Sequence, residues 1–214
     1  AAQITLESAN GIGASGSGDL DTTASTLVSS VTGSGNIFIT DSAAVSVGAT
    51  STGSGDITIG TSDGILTVSG TVNSSSGNLA LTGDDGVTHT ATGDLTTGGS
   101  GTVTVVASSG DVTMADGTTY TTAGGTVSVT GASNVALGQI VNSSGASNVT
   151  ATAGSITDVT SLDGSGNENI SGTTITLTSA AGMGATGTAD DLDLAATTIV
   201  ASDSGTGSIY LAET

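Results

Sequence analysis

The chain has 214 residues with no Lys and no Arg, so its 19 carboxylates leave a formal net charge of −19. Nucleic acids are recognised through basic side chains and the composition excludes them as partners, while anionic membranes and nucleotide phosphates are disfavoured for the same reason. The absence of Cys removes any disulfide framework or soft-metal site, and three aromatic residues (Phe38, Tyr120, Tyr210) are too few for cores built on large rings.

The chain nevertheless reads as ordered. Hydrophobic residues make up 35% of it, and its aliphatics alternate, whereas acidic disordered tails are poor in Val, Ile and Leu. No apolar run approaches the ~20 residues of a membrane helix. The opening Ala1-Ala2-Gln3 is compatible with cleavage after an exported leader or with a fragment of something longer. The expected location is extracellular, at the cell surface.

In chain order, a small residue followed by aliphatic-x-aliphatic recurs as GNIFI (Ile37, Ile39), GDITI (Ile57, Ile59), GNLAL (Leu79, Leu81), GTVTV (Val103, Val105) and GTVSV (Val127, Val129). A degenerate SNVTA (Val149), TTITL (Ile175, Leu177) and GSIYL (Ile209, Leu211) continue the series. The first aliphatics lie 20, 22, 24, 24, 22, 26 and 34 residues apart, and DLDL (Leu192, Leu194) divides the last gap. A second set falls between them: Val45/Val47, Ile65–Val68, Val87–His89, Val112/Met114 and Val135/Leu137. Each has the two-residue period of a half-buried strand. The intervening SG, GDDG, ADG, AGG and GAS clusters favour turns and positive φ. No helix is predicted, and residues 189–196 read as strand.

Short strands at this period fit an all-β parallel β-helix (β-solenoid) with about 20–24 residues per coil, in which the coil itself is the crossover between parallel strands. The alternative is two antiparallel β-sandwich domains, which the scarcity of aromatics disfavours. On the solenoid reading, residues 1–214 form a single domain of roughly nine to ten coils.

The G-[ND]-I-x-I and G-x-V-x-V strings with Ser/Thr-rich turns, from about residue 33 to 160, resemble the β-helical repeats of filamentous-haemagglutinin-like exoproteins and autotransporter-type adhesins of bacteria. The resemblance implies an extracellular right-handed parallel β-helix serving as a stalk or adhesive fibre. The chain departs from that family in lacking Lys and Arg entirely.

Candidate chemistry is sparse. TGSGNIFIT and TGSGDITIG lead into strands and the chain holds no Lys, so they are repeat corners and not phosphate loops. GGSGTVTVV has Val103 where a calcium nonapeptide needs Asp. A weak calcium set is Asp163, Ser165 and Asn167 with Asp190, Asp191 and Asp193, although the loop lacks the bidentate Glu of an EF-hand. Gly60-Thr61-Ser62-Asp63-Gly64 matches G-x-S-x-G but is followed by a strand where a nucleophile elbow needs a helix. His89, the only histidine, reads as a surface or rung-edge residue that Asp84 or Asp85 could face. Thr-x-Thr strings at 88, 102, 119, 150 and 174 are too unevenly spaced for a ladder. The sequons at Asn73, Asn142, Asn148 and Asn169 matter only in a host that glycosylates surface proteins.

No catalytic residue and no cofactor is expected. The reading is a structural solenoid whose uncapped ends pair with copies of itself, head to tail, into a filament. Two other classes compete with it: a calcium- or carbohydrate-binding adhesion module that takes cations or cell-surface glycans, and a polysaccharide-active enzyme.

Overall fold

The computed structural model describes residues 2–161, 166–187 and 190–214. The chain is a parallel β-solenoid of about nine turns with about 22 residues per coil. Every strand pair among the described residues is parallel, which overturns the antiparallel sandwich alternative.

Strands stack in three columns. The first holds Leu20–Thr22, Ile37–Asp41, Ile57–Thr61, Leu79–Gly83, Val103–Ala107, Val127–Gly131 and Ala146–Ala151. It continues through the C-terminal halves of Ile170–Ser179 and Leu192–Asp203. The second holds the start of Val45–Thr52, then Ile65–Val68, Gly86–His89, Val112–Thr113, Val135–Leu137 and Ile156–Asp158. These two columns are the two aliphatic series of the sequence, with the inward members buried and the outward members mostly hydroxylated or small, Asp21, Phe38 and Ile65 being among the exceptions.

The third column carries no such series. It stacks the end of Val45–Thr52 on Val72–Ser74, Leu95–Thr97, Thr119–Thr122, Gln139–Asn142 and the start of Ile170–Ser179. Each of the middle four strands turns one apolar residue inward (Val72, Leu95, Tyr120, Ile140), followed two residues later by a buried polar one. Thr52, Ser74, Thr97, Thr122 and Asn142 form that polar column, in register from coil to coil.

The polar column serves a corner made of glycine. Gly35, Gly55, Gly77, Gly101, Gly125 and Gly145 lie one above another, and a Cβ added to each of the last five would fall on the carbonyl oxygen of the glycine before it. None of the six has positive φ, so close approach and not conformational freedom selects glycine here. True turn glycines lie elsewhere, as at Gly64 (φ 81°) and Gly117 (φ 94°). The buried hydroxyls bond the corner carbonyls: Thr52 Oγ1 to Gly35 O at 2.7 Å, Ser74 Oγ to Gly55 O at 2.8 Å and Thr97 Oγ1 to Gly77 O at 2.6 Å. Asn142 closes the series, donating Nδ2 to Gly125 O at 3.0 Å and accepting from Gly145 N at 2.7 Å.

The structure also exposes a repeat much longer than a coil. Residues 1–42 align with residues 172–214 if Asp190 is an insertion, and nineteen of the 42 pairs are identical. GIGASGSGDLD at 11–21 corresponds to GMGATGTADDLD at 182–193. Backbone pairing repeats with it. Ile4↔Leu27 and Ser8↔Val31 become Ile175↔Ile199 and Ser179↔Asp203, while Leu20↔Ile39 becomes Leu192↔Leu211. The bridge Ile12↔Ile37 becomes Met183↔Ile209. Gly13 and Gly184 share the same left-handed turn, with φ of 67° and 60°.

Because the glycine corner has no spare volume, Gly77→Ala is expected to lower unfolding stability by about 2–3 kcal/mol, the cost of overpacking a closed site. Chemical denaturation followed by circular dichroism measures this, and a variant as stable as the parent would show that the corner can spread.

Candidate functional surface

The outer side of the first column is a ribbon of small, uncharged side chains. One row runs Thr58, Ala80, Thr104, Ser128, Asn148 and Thr176, and its neighbour runs Thr82, Val106, Thr130, Thr150 and Thr178. Rows lie about 6.5 Å apart along the strand, and successive rungs about 4.8 Å apart. The Thr-x-Thr strings of the sequence do not stack on one another, yet Thr104, Thr150 and Thr176 enter these rows beside other residues. Among the described residues from Ile57 to Ser179, no carboxylate projects from this side.

Carboxylates gather at the corners, where backbone N–H groups hold them. Asn36 Oδ1 accepts from Asp56 N at 2.8 Å, Asp56 Oδ1 from Asn78 N at 2.8 Å and Asn78 Oδ1 from Thr102 N at 3.0 Å. Asn78 Nδ2 also donates to Asp56 Oδ1 at 3.1 Å. A second stack repeats the scheme, with Asn134 N on Asp111 Oδ1 at 2.8 Å and Ser155 N on Asn134 Oδ1 at 3.0 Å. In both, an Asp has an Asn on the adjoining coil, so like charges do not adjoin. Asp41 is wholly buried, and its carboxylate is satisfied by Thr22 Oγ1, Ala24 N and Ala43 N. At the C-terminal end, the Ser179 hydroxyl, with Gly182 N and Gly207 N, holds the Asp203 carboxyl below its usual range.

His89 is a core residue, only 2% exposed, which corrects its expected place at the surface. It faces inward because it continues the alternation from Val87 and pairs in register with Val68. Nδ1 lies 2.7 Å from the Gly93 carbonyl, which only accepts, so Nδ1 carries the proton. Nε2 is then an acceptor, and the buried Tyr120 hydroxyl donates to it at 2.7 Å. Burial pushes the imidazole down from 6.5 to about 4, against the Gly93 bond, and pushes the Tyr120 phenol up. Neither ring nitrogen bonds Ser62, Asp84 or Asp85. Ser62 sits in a turn anchored by its N–H on Asp41 O at 2.9 Å, with strands on both sides.

Of the calcium set, Asp163 and Ser165 lie outside the described residues. Asn167 follows the left-handed Gly166 (φ 93°), and Glu168 Oε1 accepts from Gly166 N at 2.8 Å. Asp190 is exposed in the turn of the second long-repeat copy, where its carbonyl accepts from Ala185 N at 2.6 Å. Asp193 is buried, and its N–H donates to Asn169 Oδ1 at 2.9 Å. Asp191 Oδ1 and Asp158 Oδ2 are buried oxygens without a hydrogen-bond partner. No three His, Cys, Asp or Glu side chains converge on a metal-sized position among the described residues.

The polar column went unread in the sequence, yet it has a signal there. A Ser, Thr or Asn precedes each corner glycine by three or four residues: Thr52/Gly55, Ser74/Gly77, Thr97/Gly101, Thr122/Gly125 and Asn142/Gly145. Compared with protein-family models, with curated proteins and with solved structures, the chain matches none.

Two expectations follow. Because the folded pKa of His89 lies below the unfolded one, its contribution to stability is complete above about pH 6.5 and is lost as pH falls toward 4. Between pH 6.5 and 4.5 the parent should lose about 2–3 kcal/mol relative to His89→Gln, a shift of about 1.4 kcal/mol per pH unit. Urea titrations at several pH values compare the two slopes, and parallel slopes would show that His89 takes up its proton in the folded state. Asn78→Asp should cost about 1–2 kcal/mol by placing two carboxylates on adjoining coils and removing a donor. Added salt should return part of that loss in thermal melts.

Proposed function

We propose that the chain is an extracellular structural protein, a β-solenoid segment of a surface fibre or adhesin stalk, which joins copies of itself end to end. The observation that carries this reading is the state of the two ends. Gln3–Ser8 pairs with Thr26–Val31 on one side only, and the last coil, with Leu211–Glu213, pairs only inward. Ile4, Leu6, Ile199, Ala201 and Leu211 are half-buried against the core at these ends. Open parallel edges with apolar cross-sections are templates for further strands. The shaft between them, anionic at its corners, opposes side-by-side association. Such a rod would bear load along its axis through coil-to-coil backbone hydrogen bonds.

One observation favours a second reading, a module for neutral cell-surface glycans. The carboxylate-free ribbon of hydroxyls and methyls on the first column is a surface that an uncharged polysaccharide could approach without meeting the chain's negative charge. The resemblance to bacterial adhesin repeats is compatible with either role.

Light scattering of the full chain over a concentration series, with and without calcium, tests the first reading. The expected result is a mass that rises in whole multiples of the chain, with rods of one width and growing length in electron micrographs. A monomer at every concentration would sink end-to-end assembly, and saturable retention on a neutral polysaccharide by that same monomer would support the glycan reading.

A further inference from the structure

The long repeat makes the two ends of the solenoid comparable residue by residue. In the N-terminal copy, the strands at 26–31 and 37–41 are covered by the next coil. Thr26–Val31 pairs with Val45–Thr52, and Ile37–Asp41 pairs with Ile57–Thr61. Under that cover Leu27 and Ile37 are fully buried and Ile39 nearly so. Their counterparts in the C-terminal copy have no cover. Ile209 is 42% exposed, and Ile199 and Leu211 are only half-buried. The same module is thus seen once with its neighbouring coil in place and once without it.

We propose that the C-terminal edge, residues 197–203 and 209–213, is the seat of a following unit of this same repeat, joined in tandem, whose first coil corresponds to residues 43–61. Thr214 aligns with Ser42, so an extension that opens on the counterpart of Ala43 keeps the repeat in phase. The register is set by the covered copy. Ile199 takes the counterpart of Val47, Ala201 that of Thr50, Ile209 that of Ile57 and Leu211 that of Ile59. Ile209 N–H meets the counterpart of the Asp56 carbonyl, as Ile37 N–H meets Asp56 O at 2.8 Å.

A separate second copy has no free coil of this kind, because its residues 43–61 are already stacked on its own residues 26–41, and its open Gln3–Ser8 edge is a different pairing from the one the covered copy shows. The tandem unit is the occupant that reproduces the covered register. Within the strands that the next coil covers, the sharpest divergence between the two copies is Asp203 in place of Val31. Its carboxylate already holds Ser179 Oγ, Gly182 N and Gly207 N, a satisfied state like that of the buried Asp41. Covering it needs no new partner. This inference does not rest on fibre assembly, and a chain that stays monomeric in light scattering leaves it intact.

The test extends the full chain after Thr214 with residues 43–161 of the same sequence and follows amide hydrogen exchange in residues 197–213, which occur once in the product. The expected outcome is a protection gain of at least tenfold across 198–203 and 209–213, with the extension itself protected. A companion extension carries Asp at the counterparts of Val45, Val47, Ile57 and Ile59 and should give no gain. A protected extension over an unchanged edge overturns the proposal, and so does an extension that never becomes protected. Equal gains from the two extensions overturn it as well, since the coil would then be held without its register.

Discussion

Along one corner of this solenoid, successive coils lie so close that a single carbon atom cannot be placed between them. That contact, the Gly35-to-Gly145 column, fixes the axial phase of the coils it joins, because each glycine rests on the carbonyl oxygen below it. Backbone pairing in the three strand columns needs the same phase, so corner and strands specify one register together. The cost is corner carbonyls brought together away from water. The inward Thr52, Ser74, Thr97 and Asn142 side chains offset it by bonding those carbonyls from inside. A wholly apolar third column would leave them unsatisfied, a loss of about 1–3 kcal/mol each.

Charge follows the same geometry. A chain with 19 carboxylates and no basic side chain cannot pair its acids with cations of its own. It spreads them over corners and gives them N–H donors, and in the two stacks described it interleaves them with Asn. Stacking repeats an outward residue every ~4.8 Å, within the Debye length at physiological salt, so identical Asp columns would repel along the whole axis. The hydroxyl ribbon is what the first column shows between Ile57 and Ser179, where the neighbouring carboxylates lie at corners, and strand-borne acids such as Asp21 and Asp203 fall nearer the two ends.

Much of the architecture was legible, and the parts that were not share a cause. Most strands of columns one and two turn two aliphatics inward, with His89, Ser147 and the single Ile156 among the exceptions, and that alternation is visible without a structure. Column three turns in one aliphatic and then a Ser, Thr or Asn, so Val72–Ser74 and Leu95–Thr97 resemble loop. The glycine clusters read correctly as corners, but positive φ was the wrong reason for the ones that matter most. The sequence alone places His89 at the surface or a rung edge beside Val87; its core position is secured by Tyr120, 31 residues away, and no local pattern joins the two. The candidate site was the least legible part. A charge-free face is a property of stacked rows, and the residues of one row lie 20 to 28 positions apart in the sequence.

In the sequence, the strong short period hides the weaker long one. Every coil resembles every other in its aliphatic-x-aliphatic core, so the distinguishing features of residues 1–42 and 172–214 lie outside it. They are the GIGASG and GMGATG turns, each projecting from the stack through a left-handed glycine. Ile12 and Met183 at the base of these turns are core residues bridged to the neighbouring coil, but residues 14–18 and 185–187 beyond them are exposed, and coil packing does not account for the recurrence of that exposed part. Short-period similarity in a solenoid reports the needs of the core. Similarity in the excursions reports descent from one unit, and here it distinguishes these two modules from all the coils between them.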